Sequence, residues 1–366
     1  MSTLLAQARA AEAVLLEGGY RWLLRPILFR AYSGDPERIH EKMISLLAKV
    51  AQTPLAGVVR FLCAPPRDPV TIAGVRFPGR VGVAAGLDKD GHAAKIWACL
   101  GFGFAELGTV TAQAQDGNPR PRVFRAPRSG ALINRMGFNN DGALRLADRL
   151  GQWGVKRGEE SLGIPLGISV GKTKIVEVDY AIEDYLTSFR AVHRVADYVA
   201  VNISSPNTPG LRTLQAKDHV FDLVTALVRE SASLDDRPVP IFVKIAPDLT
   251  DFEVDELVEA VVRAGGAGFI ATNTTVGRDG LHLADLGVAR QLGGLSGAPL
   301  TARARQVCAQ VVTSGLPVIA SGGIMSVDDA QAMFDLGASA VQVYTGFIYS
   351  GPGLVSRINL ATRMEG

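Results

Sequence analysis

Eight short polar strings in this sequence each follow directly on an apolar run. They are AAGLDKDG from Ala84, GTVT from Gly108, SVGKTK from Ser169, NISSPNT from Asn202, KIAPD from Lys244, TNTT from Thr272, SGGI from Ser321 and YTG from Tyr344. Their residue types divide by chemistry. Ser321-Gly322-Gly323 and Tyr344-Thr345-Gly346 offer backbone N–H groups with no Cβ in the way, the arrangement that cradles phosphate oxygens. Either turn alone is ordinary. Two of them at consecutive apolar runs favour a phosphate-bearing cofactor such as FMN. Lys89 and Lys244 are cations beside apolar runs, and such cations need anionic partners. A carboxylate such as Asp88 or Asp248 would serve. So would a flavin, whose reduced form carries negative charge, and for Lys244 the flavin is the favoured partner.

Asn134, Asn139, Asn202, Asn207 and Asn273 fall in or near the loops expected after these apolar runs. A carboxamide both donates and accepts, so a set of them suits a planar ligand with amide and imide edges. One asparagine in a loop is usually a turn residue; five in one setting say more. Ser205 lies in the most informative string. It has no GxSxG elbow, which argues against a hydrolase nucleophile. A serine hydroxyl can still take a proton from an acidic C–H if it is held in place and linked to a relay.

These residues need elements to position them. Short, nearly uniform apolar runs predict strands at 81–85, 105–109, 165–169, 198–202, 241–245, 269–272, 318–320 and 340–343, the pattern of a parallel sheet covered on both faces. Helix-period segments lie between them. One spans 251–264, with Thr250 as N-cap and Gly265-Gly266 as its stop; another spans 327–336, between Ser326 and Gly337. Eight strands in regular alternation predict a closed (β/α)₈ TIM barrel, whose active sites form at the C-terminal strand ends. The rival doubly wound sheet wants a G-x-G-x-x-G turn after its first strand. Gly101-Phe102-Gly103 instead precedes a strand and lacks the third glycine.

The chain has 366 residues, normal for a barrel with an extension. With 47% hydrophobic and 20% charged residues it reads as globular. A net charge of +2 gives no bulk argument for a nucleic-acid partner. Cys63, Cys99 and Cys308 are scattered, so neither a disulfide framework nor a metal site is expected. No apolar run is long enough to span a bilayer, and no secretory signal is read at the N-terminus. Residues 1–70 differ in texture from 71–366. The stretch 20–32 is rich in Trp, Leu, Ile and Phe, carries Arg21, Arg25 and Arg30 without an acid, and is interrupted by Pro26. It predicts an amphipathic helix, suited to an anionic membrane surface or to packing on the barrel floor. A second helix is expected at 35–50 and a connector at 54–69.

The string NISSPNTPGLRTLQ from Asn202 resembles the signature of dihydroorotate dehydrogenases. AAGLDKDG, GTVTAQ, NPRPRVFR, INRMGFNNDG, GISVGKTK, VKIAPDL, TNTT, GGLSGAPL, SGGI and VQVYTG resemble the family's other blocks, in the family's order, over residues 36–352. Serine at position 205 and the N-terminal extension with DPERIH are similar to the quinone-linked class 2, whose two extension helices form a hydrophobic passage to the flavin.

The resemblance implies oxidation of (S)-dihydroorotate to orotate, with FMN as hydride acceptor and a membrane quinone as final acceptor, in de novo pyrimidine synthesis. It implies Ser205 as the base at carbon 5, with Thr208 in a relay. It implies substrate contacts from Lys89, Asn134, Arg135, Met136, Gly137, Phe138, Asn202, Asn207, Asn273 and Thr274, with Phe138 closing over the substrate. FMN would be held by Ala85, Gly86, Lys89, Thr109, Asn202, Lys244, Thr272, Gly297, Gly323, Tyr344 and Thr345. His40, Arg125 and Tyr344 would stand at the quinone end. A monomer bound peripherally to the cytoplasmic face of the inner membrane is expected. Ser169 departs from the family's GxNxGK pattern, and the shorter side chain implies a longer or water-mediated contact to FMN. The rivals are an FMN barrel acting on another planar heterocycle, a flavin-free phosphate-binding barrel, and a membrane-binding module without catalysis.

Overall fold

Short apolar runs become eight parallel strands in a computed structural model, which describes residues 3–63 and 69–361. The strands are Val81–Val83, Phe104–Val110, Leu166–Val170, Tyr198–Asn202, Ile241–Ile245, Gly268–Ala271, Val318–Ser321 and Ala340–Val343. Each pairs with the next in chain order, and Val341 pairs with Val81 to close the ring. The structure is therefore a TIM barrel, and the closing pair excludes the open doubly wound sheet. The helix signals also act as written. Thr250 and Glu253 cap Asp251–Arg263 reciprocally, and Gly265 leaves the helix with φ +82°. Ser326 Oγ accepts from Asp329 N at the start of Val327–Asp335.

The barrel floor is built from glycine–aromatic pairs. Gly82 is in register with Phe104, Gly167 with Tyr198 and Gly268 with Phe242. A Cβ on these glycines would lie 2.2, 2.1 and 2.4 Å from the facing ring. Each ring thus occupies the space its neighbour strand gives up. The hairpin Val70–Ile72 and Val75–Phe77 closes the floor from below with Ile72 and Phe77, and Phe77 meets Phe104 edge-on.

The N-terminal helices pack along the side of the barrel, Thr3–Gly19 against Pro352–Ala361 and Leu55–Leu62 against Ala98–Leu100. The helix Thr3–Gly19 begins well before the predicted 20–32 segment, runs through a wide turn at Tyr20–Leu24 and continues as Arg25–Arg30. Pro26 has no N–H for the helical ladder, which accounts for an interruption here. Helix Pro36–Val50 follows, with Asp35 accepting from Glu37 N and Arg38 N. The expected connector at 54–69 contains a helix instead, Leu55–Leu62. Pro54 stands just ahead of its first turn, where a missing N–H costs nothing. These helices are tied to the barrel by Glu17–Arg357 at 2.6 Å, by Tyr20 donating to Ile348 O at 2.8 Å, and by the buried pair Arg122–Glu37 at 2.8 Å. Opposite the floor, Val123–Ala126, Ala131–Asn134 and Gly294–Gly297 form a small antiparallel sheet.

The glycine–ring pairing makes a direct prediction. Gly167→Ala should destabilise the protein by about 1–3 kcal/mol or more, as overpacking does. Gly151→Ala, in a helix where nothing lies within 4 Å of the new Cβ, should be neutral or stabilising by up to about 1 kcal/mol. Urea unfolding of the two variants checks the contrast.

Candidate active site

Parallel strands that close into a barrel bring their C-terminal ends into one ring, so the polar strings meet there. Seven of the eight contribute residues to one cavity; SVGKTK from Ser169 does not. Every residue expected to hold a phosphorylated ring borders it: Ala85, Gly86, Lys89, Thr109, Asn202, Lys244, Thr272, Gly297, Gly323, Tyr344 and Thr345. So do Asn134, Met136, Gly137, Phe138, Asn207, Asn273, Thr274 and Ser205.

The asparagines are held by one another and by their neighbours. Asn202 Nδ2 donates to Thr109 Oγ1 at 2.8 Å. Asn273 Nδ2 donates to Asn202 Oδ1 at 3.2 Å and to Ser204 Oγ at 2.9 Å. Asn207 Nδ2 donates to Asn134 O at 3.1 Å. Asn139 is not part of this set; it borders a neighbouring polar cavity under helix Pro36–Val50. Ser205 is buried and its Oγ accepts from Asn207 N at 3.3 Å. Thr208 is buried on the outer side of the same loop, and its Oγ1 has no hydrogen-bond partner among the described residues.

Two residues stand outside the cavity lining. Arg135 does not line the cavity: its guanidinium reaches Gln291 Oε1 at 2.9 Å and Pro121 O at 2.9 Å, and lies over Phe124. Neighbours in an extended segment point to opposite faces, and Asn134 has the inward one. Ser169 is fully buried behind the wall and pairs with Thr109 Oγ1 at 2.8 Å. It reaches the cavity only through Thr109.

The lysines differ in their partners. Lys244 Nζ meets Glu106 Oε1 at 3.3 Å, a carboxylate with no solvent exposure. Neither Asp88 nor Asp248 serves. Asp88 accepts from Trp97 Nε1 and Ala93 N, and burial pushes its carboxyl up to about 6. Asp248 takes Arg212 at 2.8 Å. Glu106 Oε2 also accepts from Gln342 Nε2 at 2.7 Å and Tyr198 OH at 3.3 Å. Lys89 borders both the main cavity and the polar cavity under helix Pro36–Val50. Burial holds its ammonium down to about 8, against an opposing pull from Asp90.

The donor set fits a phosphorylated planar ring. A glycine turn and the Thr345 hydroxyl stand on one part of the wall, and an ammonium and carboxamides on another. Glu106, Gln342 and Ser296 escape a reading of the strand-end strings. A polar residue alone in an apolar strand is the signal that marks the first two.

A second cavity, of about 480 Å³, runs between the N-terminal helices and the barrel. Leu15, Leu28, Phe29, Ile44, Leu47 and Phe347 make it apolar. His40, Arg125 and Tyr344 are among its few polar residues, and Tyr344 and Met136 belong to the walls of both cavities. Burial and the nearby Lys89 hold the His40 imidazole down to about 3, and burial pushes the Tyr344 phenol up to about 12.

The profile of the family described as Dihydroorotate dehydrogenase matches residues 69–363. A protein named dihydroorotate dehydrogenase (quinone) from Salinispora arenicola is 52% identical over 347 residues, covering 93% of this chain and 98% of the relative. One of the same name from Chloroflexus aurantiacus is 48% identical over 352 residues, covering 93% and 95%. The crystal structure of DHODH from Eimeria tenella in complex with ferulenol matches with a TM-score of 0.80 at 35% identity, covering 92% of this chain and 93% of that one. With a profile match across the whole barrel and relatives this similar over most of both chains, the chain belongs to the dihydroorotate dehydrogenase family of oxidoreductases.

Proposed function

We propose that this chain oxidises (S)-dihydroorotate to orotate, with FMN as hydride acceptor and a membrane quinone as final electron acceptor, in de novo pyrimidine (UMP) synthesis. One observation carries the reading: a polar, amide-lined cavity and an apolar passage share a wall at Tyr344 and Met136. That suits a polar substrate and a lipid-soluble acceptor served by one cofactor.

FMN, when bound, supplies the acceptor for the hydride from carbon 6. The Gly323 turn and Thr345 would hold its phosphate, and Thr109, Asn202, Lys244 and Thr272 its ring, with Ala85, Gly86 and Gly297 giving close backbone approach. Lys89, Asn134, Asn207, Asn273 and Thr274 hold the substrate's carboxylate and amide edges, and Phe138 covers it. Ser205 takes the proton from carbon 5. Its hydroxyl is a weak base, so the reaction depends on its placement and on a relay, for which the unpartnered Thr208 hydroxyl is the available group.

Residues 1–70 form the quinone side and 71–366 the catalytic barrel. His40 is neutral at ordinary pH and Tyr344 protonated, so both meet a quinone without a charge. Leu15, Trp22, Leu23 and Ile27 are 75%, 74%, 71% and 67% exposed on the N-terminal helices, and Leu15 also lines the passage. Among the described residues no helix is long and apolar enough to cross a membrane. Peripheral attachment to the cytoplasmic face fits this exposed apolar face with its arginines.

An anaerobic visible spectrum tests the reading. The protein should show an oxidised flavin that bleaches with dihydroorotate and recovers with a quinone; a flavin that dihydroorotate leaves oxidised rules out the substrate. Ser205→Ala should slow the bleaching by about 10²–10⁴-fold, followed by stopped-flow absorbance. Trp22→Glu with Leu23→Glu should weaken binding to anionic vesicles and turnover of long-chain quinones while leaving the bleaching rate unchanged.

The pH dependence follows from Lys89. Its charge is present below about 8 and lost above it, so binding of the orotate carboxylate should weaken as pH rises through that value. Lys89→Met should remove this step from the pH profile of orotate affinity, read from the flavin spectrum.

A further inference from the structure

Gln342 lies within the last barrel strand, 1% exposed, and borders the polar cavity. Its amide has one workable orientation. Nε2 donates to Glu106 Oε2 at 2.7 Å, and an ionised carboxylate only accepts. Turning the amide over would set oxygen against oxygen. Glu106 is itself held, by Lys244 Nζ at 3.3 Å and Tyr198 OH at 3.3 Å. The result is that Gln342 Oε1 is buried with no hydrogen-bond partner among the described residues. A buried acceptor in that state calls for a donor from a ligand.

Lys244 borders the same cavity. Glu106 therefore presents two groups to the ligand, a donor on Lys244 and an acceptor on Gln342. The complement is a carbonyl beside an N–H, which is an imide edge. We infer that Gln342 is a cofactor-specificity residue whose Oε1 receives the imide N3–H of the flavin's pyrimidine ring. The inference rests on the FMN reading above. Dihydroorotate also has an imide, but Ser205 and Asn207 stand on the strand-end loop, whereas Gln342 and Lys244 lie within strands.

The test titrates the full-length apoprotein with FMN and with N3-methyl-FMN, following flavin fluorescence, for the wild type and Gln342→Ala. The wild type should prefer FMN by roughly tenfold or more, since methylation removes the donor and leaves the acceptor unpaired. Gln342→Ala removes the acceptor and makes room for the methyl group, so the preference should fall close to one. Equal affinities in the wild type overturn the assignment whatever the variant does. Preference that persists in Gln342→Ala also overturns it. So does a variant that keeps the preference and loses only orotate affinity, which would give the imide to the substrate. A wild type that binds neither flavin overturns the FMN reading itself, and this inference falls with it.

Discussion

A carboxylate with no solvent exposure stands in the middle of the barrel, and much of the site is arranged around it. Removing a charge from water costs several kcal/mol even after relaxation. Glu106 offsets that cost with three donors from three strands: Lys244, Gln342 and Tyr198. The consequence is positional. Lys244 and Gln342 are each tied to one oxygen of a fixed anion, so both present fixed chemistry to the cavity. Tyr198 carries the constraint downward, because its ring fills the space left by Gly167, lies tilted against Phe77 and meets Phe242 edge-on. The floor and the ligand-facing layer are mechanically one unit.

The N-terminal helices add a different physical environment. The barrel's cavity is lined with amides, hydroxyls and ammonium groups, while the passage beside it is lined with leucine, isoleucine and phenylalanine. A ligand from water and a ligand from lipid can approach one centre by separate routes only if the dividing wall tolerates both. Tyr344 and Met136 meet that requirement, one amphipathic and the other apolar and adaptable. The extension is held by ion pairs at Glu17 and Glu37, the second of them buried, so the passage has defined walls, while its outer apolar face is exposed.

The barrel strands are legible in the sequence because parallel strands covered on both faces are near-continuous apolar runs. All eight appear within two residues of where those runs place them. Cavity residues at strand ends are legible for the same reason, since closure leaves them one place to go. Other features have no comparable signal. The hairpin strands Val70–Ile72 and Val75–Phe77 are too short for periodicity to show. The sheet opposite the floor joins residues from 123 to 297, and no local pattern reports such a pairing. Arg135 was misplaced because adjacency to Asn134 and Met136 says nothing about which face a side chain takes. Ser169 has a structural place that its string does not report. It supports Thr109 instead of reaching the cavity, and Thr109 in turn holds Asn202.

In the proposed reaction Ser205 is a weak base, so its action rests on how its loop is positioned. Misplacement of a reacting group by an ångström is enough to cost orders of magnitude in rate. The loop is anchored at both ends by side chains outside the cavity. At one end Arg212 donates to Ser204 O at 3.1 Å and to Asp248 at 2.8 Å. At the other, Asn118 Nδ2 donates to Asn207 O at 3.2 Å and to Arg135 O at 3.0 Å, while its Oδ1 accepts from Lys174 at 3.0 Å. Asn118 therefore joins the serine loop to the arm that carries Asn134, Met136 and Phe138. The two cavity walls thus share a single amide, so displacement of either disturbs the other.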